Sequence, residues 1–150
     1  MTFYHVCFSV PDLGRAMEDL TAVSAVRWHD PVDGRIGDWP YRIAFTVQGP
    51  PFIELIEAAP GGPWGDTTRA QFHHIGFWTS DITAGASRLA AHGFPEVFSG
   101  CPHGRPFAYH RMDSVGGHVE LVDAVQQPSF LESWHPGGPM MPVIHEESTP

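Results

Sequence analysis

Two stretches of this chain are near copies of one another, so a fold that suits the first must also suit the second. Phe52-Ile53-Glu54-Leu55-Ile56-Glu57-Ala58 is matched by His118-Val119-Glu120-Leu121-Val122-Asp123-Ala124. Further upstream, His5-Val6-Cys7-Phe8-Ser9-Val10-Pro11-Asp12-Leu13 is matched by His74-Ile75-Gly76-Phe77-Trp78-Thr79-Ser80-Asp81-Ile82. The offset is 69 residues for His5 and His74 and for Asp12 and Asp81, and 66 for Glu54 and Glu120. Each half therefore offers one imidazole and one carboxylate at equivalent places, and four such donors can hold a divalent metal.

Local patterns around the repeat predict the elements. Residues 3–10 form an apolar, β-branched run that reads as a strand. Asp12 then caps a helix over 13–26, where Leu13, Ala16, Met17, Leu20, Val23 and Val26 recur at helical spacing. A second strand is expected over 27–32, a loop or hairpin turn over 33–39, and strands over 41–47 and 52–58. The glycine- and proline-rich segment 60–71 reads as a connector. The series then restarts: a strand at 72–79, a helix from the Asp81 cap to about His92 with Gly93 as its stop, and strands near 96–99, 106–113 and 118–123. Residues 127–134 suggest a short helix, and the remainder an arm or loose tail.

The expected architecture is α+β: one domain over residues 1–150 with two tandem βαβββ modules. Module one covers 1–59, the linker 60–71, module two 72–124 and a C-terminal arm 125–150. A unit with one helix covers only one face of its sheet, so two units side by side would enclose a cavity.

Strand alternation sorts the side chains. His5, Cys7 and Ser9 share one face, as do His74, Gly76 and Trp78; Phe52, Glu54 and Ile56; and His118, Glu120 and Val122. A glutamate between Ile53 and Leu55 is costly to bury unless paired or metal-bound. Taken singly, such a histidine reads as an edge residue and such a glutamate as a solvent-facing one. Their recurrence points to His5, Glu54, His74 and Glu120 as metal ligands. His73 competes with His74, but alternation sends it to the opposite face. His118, two residues before Glu120, is a candidate acid/base or a strand-end residue in contact with solvent. Of the adjacent pair Tyr109 and His110, only one can face the cavity. Trp39 and Trp64 fall in connectors that could rim its opening.

The motifs Tyr4-His5-Val6 with Val10-Pro11-Asp12-Leu13, His73 to Phe77 with Asp81-Ile82, and Gly116 to Val122 resemble the vicinal oxygen chelate superfamily over about residues 3–124. That superfamily includes glyoxalases, methylmalonyl-CoA epimerases, bleomycin-resistance proteins and extradiol dioxygenases. The resemblance implies a cupped mixed sheet around a metal-binding cavity, with ligands on the first and last strand of each module: again His5, Glu54, His74 and Glu120. It implies a divalent ion (Ni, Co, Mn, Fe or Zn) acting as a Lewis acid while an enolate or enediolate forms, with either Glu54 or Glu120 carrying the proton.

Charge and length narrow the function classes. The formal charge is −9, with eight arginines and no lysine, which disfavours nucleic acid and anionic membranes. It also disfavours a highly anionic substrate, unless a few arginines such as Arg15, Arg42, Arg105 or Arg111 gather in one pocket. No apolar stretch is long enough to span a bilayer, the N-terminus shows no signal-peptide pattern, and two cysteines are too few for a disulfide scaffold. A cytoplasmic enzyme is expected. It would be an isomerase, epimerase or glyoxalase-type lyase acting on a small, hydrophobic carbonyl compound. The alternatives are an oxygen-dependent dioxygenase and a non-catalytic binding or resistance protein. Phe130, Leu131 and Trp134 would cap the cavity or the seam of a homodimer.

Overall fold

The structure, a computed structural model, describes residues 3–147; residues 1, 2 and 148–150, at the ends of module one and the arm, lie outside the described residues. Its strands are β1 (His5–Ser9), β2 (Val32–Ile36), β3 (Trp39–Phe45), β4 (Phe52–Ala58), β5 (Gln71–Thr79), β6 (Glu96–Ser99), β7 (Phe107–Met112) and β8 (Gly117–Asp123). Its helices are α1 (Leu13–Ser24), α2 (Ile82–Ala91) and α3 (Gln127–Trp134). All eight strands join one sheet in the order β2-β3-β4-β1-β5-β8-β7-β6. Each half is a βαβββ unit whose first and last strands pair in parallel, β1 with β4 and β5 with β8. The halves meet where β1 runs antiparallel to β5. The fold is α+β, a curled mixed sheet built from the doubled unit.

The pairing registers reproduce the repeat. His5 lies opposite Phe52 and Cys7 opposite Glu54; in the second half His74 lies opposite His118 and Gly76 opposite Glu120. Across the central seam His5 faces Gly76 and Cys7 faces His74, a pair of contacts that the internal symmetry exchanges.

The helix starts are also doubled. Asp12 accepts the amide of Arg15 and Asp81 that of Ala84, both at 3.0 Å, so each caps its helix. The second acid of each repeated strand reaches the same place: Glu57 accepts the Leu13 amide at 2.7 Å and Asp123 the Ile82 amide at 3.4 Å. Glu57 lies three residues beyond Glu54, hence on the other face of the strand, where the helix packs. Carboxylates at a helix N-terminus also complement its partial positive charge.

Under α1, Leu13 packs with Val10, Ala44 and Leu55, joined by Ala16, Met17 and Leu20. On the opposite side, α3 brings Leu131 and Trp134 against Tyr4, Phe45, Phe52 and Trp78, with Phe130 packed on the same cluster. Fully burying such a side chain contributes about 1.5–3 kcal/mol.

Three expectations are corrected, and of the two courses expected for the end of the chain the structure shows the arm. The second strand is not 27–32 but Val32–Ile36, and Trp28 makes only a lone bridge to Thr46. Residues 33–39 are mostly strand; Gly37, at φ +56°, and Asp38 make the two-residue turn, a conformation that favours glycine and matches hairpin twist. Helix α1 stops at Ser24, because Ala25 turns left-handed at φ +57° and Val23 points to solvent. The end of the chain is no loose tail as far as residue 147. Ile144 bridges Thr79 at the end of β5, and the Glu146 carboxylate takes a two-point contact from Arg88 of α2, Nε at 2.7 Å and Nη2 at 2.9 Å.

Candidate metal centre

His5 and His74 are brought together by the β1–β5 seam, with their Nε2 atoms 2.8 Å apart. The Glu120 carboxylate lies 3.2 Å from His5 Nε2 and 3.3 Å from His74 Nε2. Glu54 is more loosely engaged, 3.8 Å from His5 Nε2. The coordinating atoms of His5, Glu54 and His74 all lie within 4.8 Å of one another. Both imidazoles are fully buried. All four sequence-predicted donors therefore converge, one each from β1, β4, β5 and β8.

A chain of hydrogen bonds fixes the tautomer of His74. The Pro63 carbonyl can only accept, so His73 Nε2, 3.0 Å away, carries a proton. Burial, with His74 and His118 nearby, lowers the His73 pKa to about 3 and keeps that ring neutral. Its Nδ1 is then a lone pair, and His74 Nδ1, 2.7 Å away, must donate to it. A neutral His74 is left with its lone pair on Nε2, facing His5 and Glu120. Such a relay behind a metal-ligating histidine orients it and raises its basicity.

This arrangement overturns the expectation that His73 lies on the opposite face. The β1–β5 register skips one residue, since Cys7 pairs with His74 but Phe8 pairs with Phe72. His73 is the extra residue of a β-bulge, and the bulge turns its ring in behind His74.

Electrostatics suit a bound cation. Burial would raise the Glu120 pKa, but the facing imidazoles of His74 and His5 outweigh it and hold the carboxyl below its usual range. Burial would lower that of His5, but Glu120 and Glu54 outweigh it in the other direction. Cys7 pairs in register with Glu54, and burial followed by that carboxylate pushes its thiol pKa well up, which makes it a poor nucleophile. Two neutral imidazoles and two carboxylates are a nitrogen–oxygen donor set suited to a divalent first-row ion. The residues present fit the metal.

The two carboxylates face open space. A cavity of about 270 Å³ is lined by Glu54 and Glu120 together with Tyr4, Ile43, Phe45, Trp78, Phe130 and Trp134. A smaller one, about 140 Å³, shares Glu54, Glu120, Ile43, Phe107 and Arg105 with it and adds Tyr41, Trp64 and Tyr109. Of the adjacent pair on β7, Tyr109 is the one that faces the site, its ring centroid 5.0 Å from that of His74. His110 turns away and reaches the Phe94 carbonyl. The rim tryptophans are placed differently from expectation: Trp39 is in β3, and Trp64 is buried and donates to Tyr109 Oη at 3.3 Å.

His118 is not gathered with the four donors. Its ring stacks on His73 at 4.6 Å and its Nδ1 donates to the His73 carbonyl at 2.9 Å. It lines a separate cavity of about 520 Å³ with Pro63, Phe98 and Arg111. Its pKa is lowered, by burial first. Sequence reasoning did not find Pro63, Phe45 or the part played by His73. Phe45 and Tyr109 are equivalents, opposite Glu54 and Glu120 in register, and neither belongs to the repeated motif.

A cup of paired βαβββ units with two histidines and two glutamates at its centre defines a class of small proteins with a candidate metal site. The sequence model of the Glyoxalase/Bleomycin resistance protein/Dioxygenase superfamily matches residues 4–111, more than half of the chain. The chain belongs to that superfamily, the vicinal oxygen chelate group.

Solved structures share the fold at low identity. Methylmalonyl-CoA epimerase from Mycobacterium tuberculosis is 21% identical over 81% of this chain and 87% of its own, with a TM-score of 0.60. A Streptomyces coelicolor methylmalonyl-CoA epimerase variant in complex with 2-nitronate-propionyl-CoA is 20% identical over 82% and 94%, with a TM-score of 0.59. A 4-hydroxymandelate synthase variant from Streptomyces coelicolor is 12% identical over 81% of this chain and 47% of its own, with a TM-score of 0.57. No curated protein matches the chain. Among the described residues no helix is long and apolar enough to cross a membrane.

Proposed function

We propose that this protein is a divalent-metal-dependent enzyme that moves a proton next to the carbonyl of a small compound, as an isomerase, epimerase or glyoxalase-type lyase. The observation that carries this reading is the convergence of four donors, with the His74 lone pair fixed toward them, beside a cavity that the two carboxylates line. His5, Glu54, His74 and Glu120 would hold the ion, which when bound supplies Lewis-acid stabilisation of negative charge developing on a carbonyl oxygen.

Glu54 is the proton carrier in this reading, because it is the less engaged of the two carboxylates that line the cavities. It takes a proton from the carbon beside the carbonyl and returns it to that carbon or its neighbour. Glu120, held by both imidazoles, stays in place. Ile43, Phe45, Trp78 and Phe130 exclude water and favour an apolar body in the substrate. His118 acts through His73, supporting its stacked ring and so the orientation of His74.

Purified protein should contain one divalent ion per chain, lost in Glu54→Ala and His74→Ala variants; full retention in both would refute the assignment. Metal-loaded protein should also exchange solvent deuterium into the α-position of candidate ketones, and Glu54→Gln should abolish that exchange while the apolar walls remain. A second reading is an oxygen-dependent enzyme. It is favoured by the looseness of Glu54, since with that carboxylate off the ion His5, His74 and Glu120 make a two-histidine, one-carboxylate set. Oxygen uptake without deuterium exchange would select it, and metal binding with neither activity would select a sequestering protein.

A further inference from the structure

Arg105 is the one arginine that lines the metal-side cavities, and it lines both. Five other arginines (15, 42, 69, 88 and 111) each have a carboxylate partner, but among the described residues none lies within salt-bridge reach of Arg105. Its guanidinium Nη1 instead donates to Tyr41 Oη at 2.9 Å, joining the start of β7 to β3 across the mouth of the cup. Because Tyr41 Oη accepts that bond, its own hydroxyl proton is free to be donated. The Tyr41 ring is fixed from two sides. It lies across Gly34 of β2, where any β-carbon would collide with it, and it packs edge-on to Trp64 at 5.3 Å. The larger cavity, which Arg105 also lines, holds a further donor, the buried Trp78 Nε1, which has no hydrogen-bond partner among the described residues.

We propose that Arg105 and Tyr41 form an anion anchor, so that the ligand of this cavity carries a carboxylate or similarly compact anion at the end opposite its metal-facing carbonyl. The inference rests on the proposed metal cup and adds the second point of attachment. A planar guanidinium with several unused N–H donors matches a carboxylate in two-point geometry. On a chain of charge −9, an unpaired guanidinium also gives the cavity its local attraction for anions. Arg105 and Tyr41 both line the cavity of about 140 Å³, and Arg105 also lines the adjoining one of about 270 Å³, so what lies between the two ends is compact, an aromatic ring or a short chain.

The test uses metal-loaded full-length protein, its metal content verified, and two probes of equal size: para-acetylbenzoate and its neutral amide, para-acetylbenzamide. Calorimetric titration should show the carboxylate bound at least about tenfold more tightly than the amide, as expected for charge-assisted hydrogen bonds. Arg105→Gln should remove that preference at unchanged metal content, Arg105→Lys should restore part of it, and Tyr41→Phe should reduce it. Equal affinity for the two probes would overturn the anchor. So would an Arg105→Gln variant that keeps the preference, or a carboxylate that fails to saturate at millimolar concentration. The outcome is independent of the proton-transfer reading: selective carboxylate binding without deuterium exchange would keep the anchor and remove the isomerase.

Discussion

A β-carbon at position 76 would fall inside the imidazole of His5, so the glycine there is what leaves room for the first histidine of the cup. Gly76→Ala should displace His5, cost about 1–3 kcal/mol through overpacking, and lower metal content; thermal denaturation and metal analysis on one preparation check both effects. Replacing His73 tests the relay from behind. His73→Phe keeps the stacking volume but removes the acceptor for His74 Nδ1, and should weaken metal binding about 10–100-fold without removing a ligand. Competition with a chelator of known affinity would measure this, and unchanged affinity would show that the Pro63–His73–His74 chain is only packing. The four central residues were legible in the sequence because they recur, and strand parity predicted which face they share. His73 was not, because a one-residue bulge breaks the alternation on which parity depends, and nothing in His73-His74 marks it.

At the level of elements, duplication explains more than the site. Glu54 and Glu120 turn into the cup, while Glu57 and Asp123, three residues on, receive the first amides of α1 and α2. One repeated strand thus carries a site acid and a helix-start acid on opposite faces. The helix caps Asp12 and Asp81 were readable from sequence for the same reason as the strands. The β2–β3 hairpin and the course of the arm were not, since they occur once and depend on tertiary partners. The arm gives a pH-dependent prediction. The hydrogen bond from Arg88, aided by the Thr79 hydroxyl, holds the Glu146 carboxyl below its ordinary range despite burial. A carboxyl whose folded pKa is depressed stabilises the fold above its unfolded value, about 4.3, and loses that contribution as pH falls through the folded value. At neutral pH, Glu146→Gln should therefore cost about 1–2 kcal/mol relative to the parent. Urea denaturation of both proteins should show the difference shrinking below about pH 4. A difference independent of pH would mean that the pair is not what pins the arm.

Across the whole molecule, the asymmetry of the two halves shapes the cup more than their likeness does. Helix α3 follows only the second module, and its Phe130 packs against Phe52, Phe45, Tyr4 and Trp78, all but Trp78 from the first module. The helix is therefore a fixed wall of the cavity. Trp134, buried in the same cluster, should cost about 3–5 kcal/mol when replaced by alanine, the range for removing a large aromatic from a core. At the equivalent place in the second module the cover is a loop and not a helix, with Pro63 on His73 and Trp64 on Tyr109, and there His118 stands where Phe52 stands in the first, beside the separate 520 Å³ cavity. The pseudo-symmetric seam between β1 and β5 has a further consequence for assembly. Because the two units lie side by side in one sheet, all four donors come from a single chain, and a homodimer is not needed to complete the centre. Metal stoichiometry should then stay at one ion per chain whether the protein is a monomer or a dimer. Sedimentation velocity over a dilution series, with metal measured in each separated species, tests this directly. An ion lost in step with dissociation would place a donor on the partner chain.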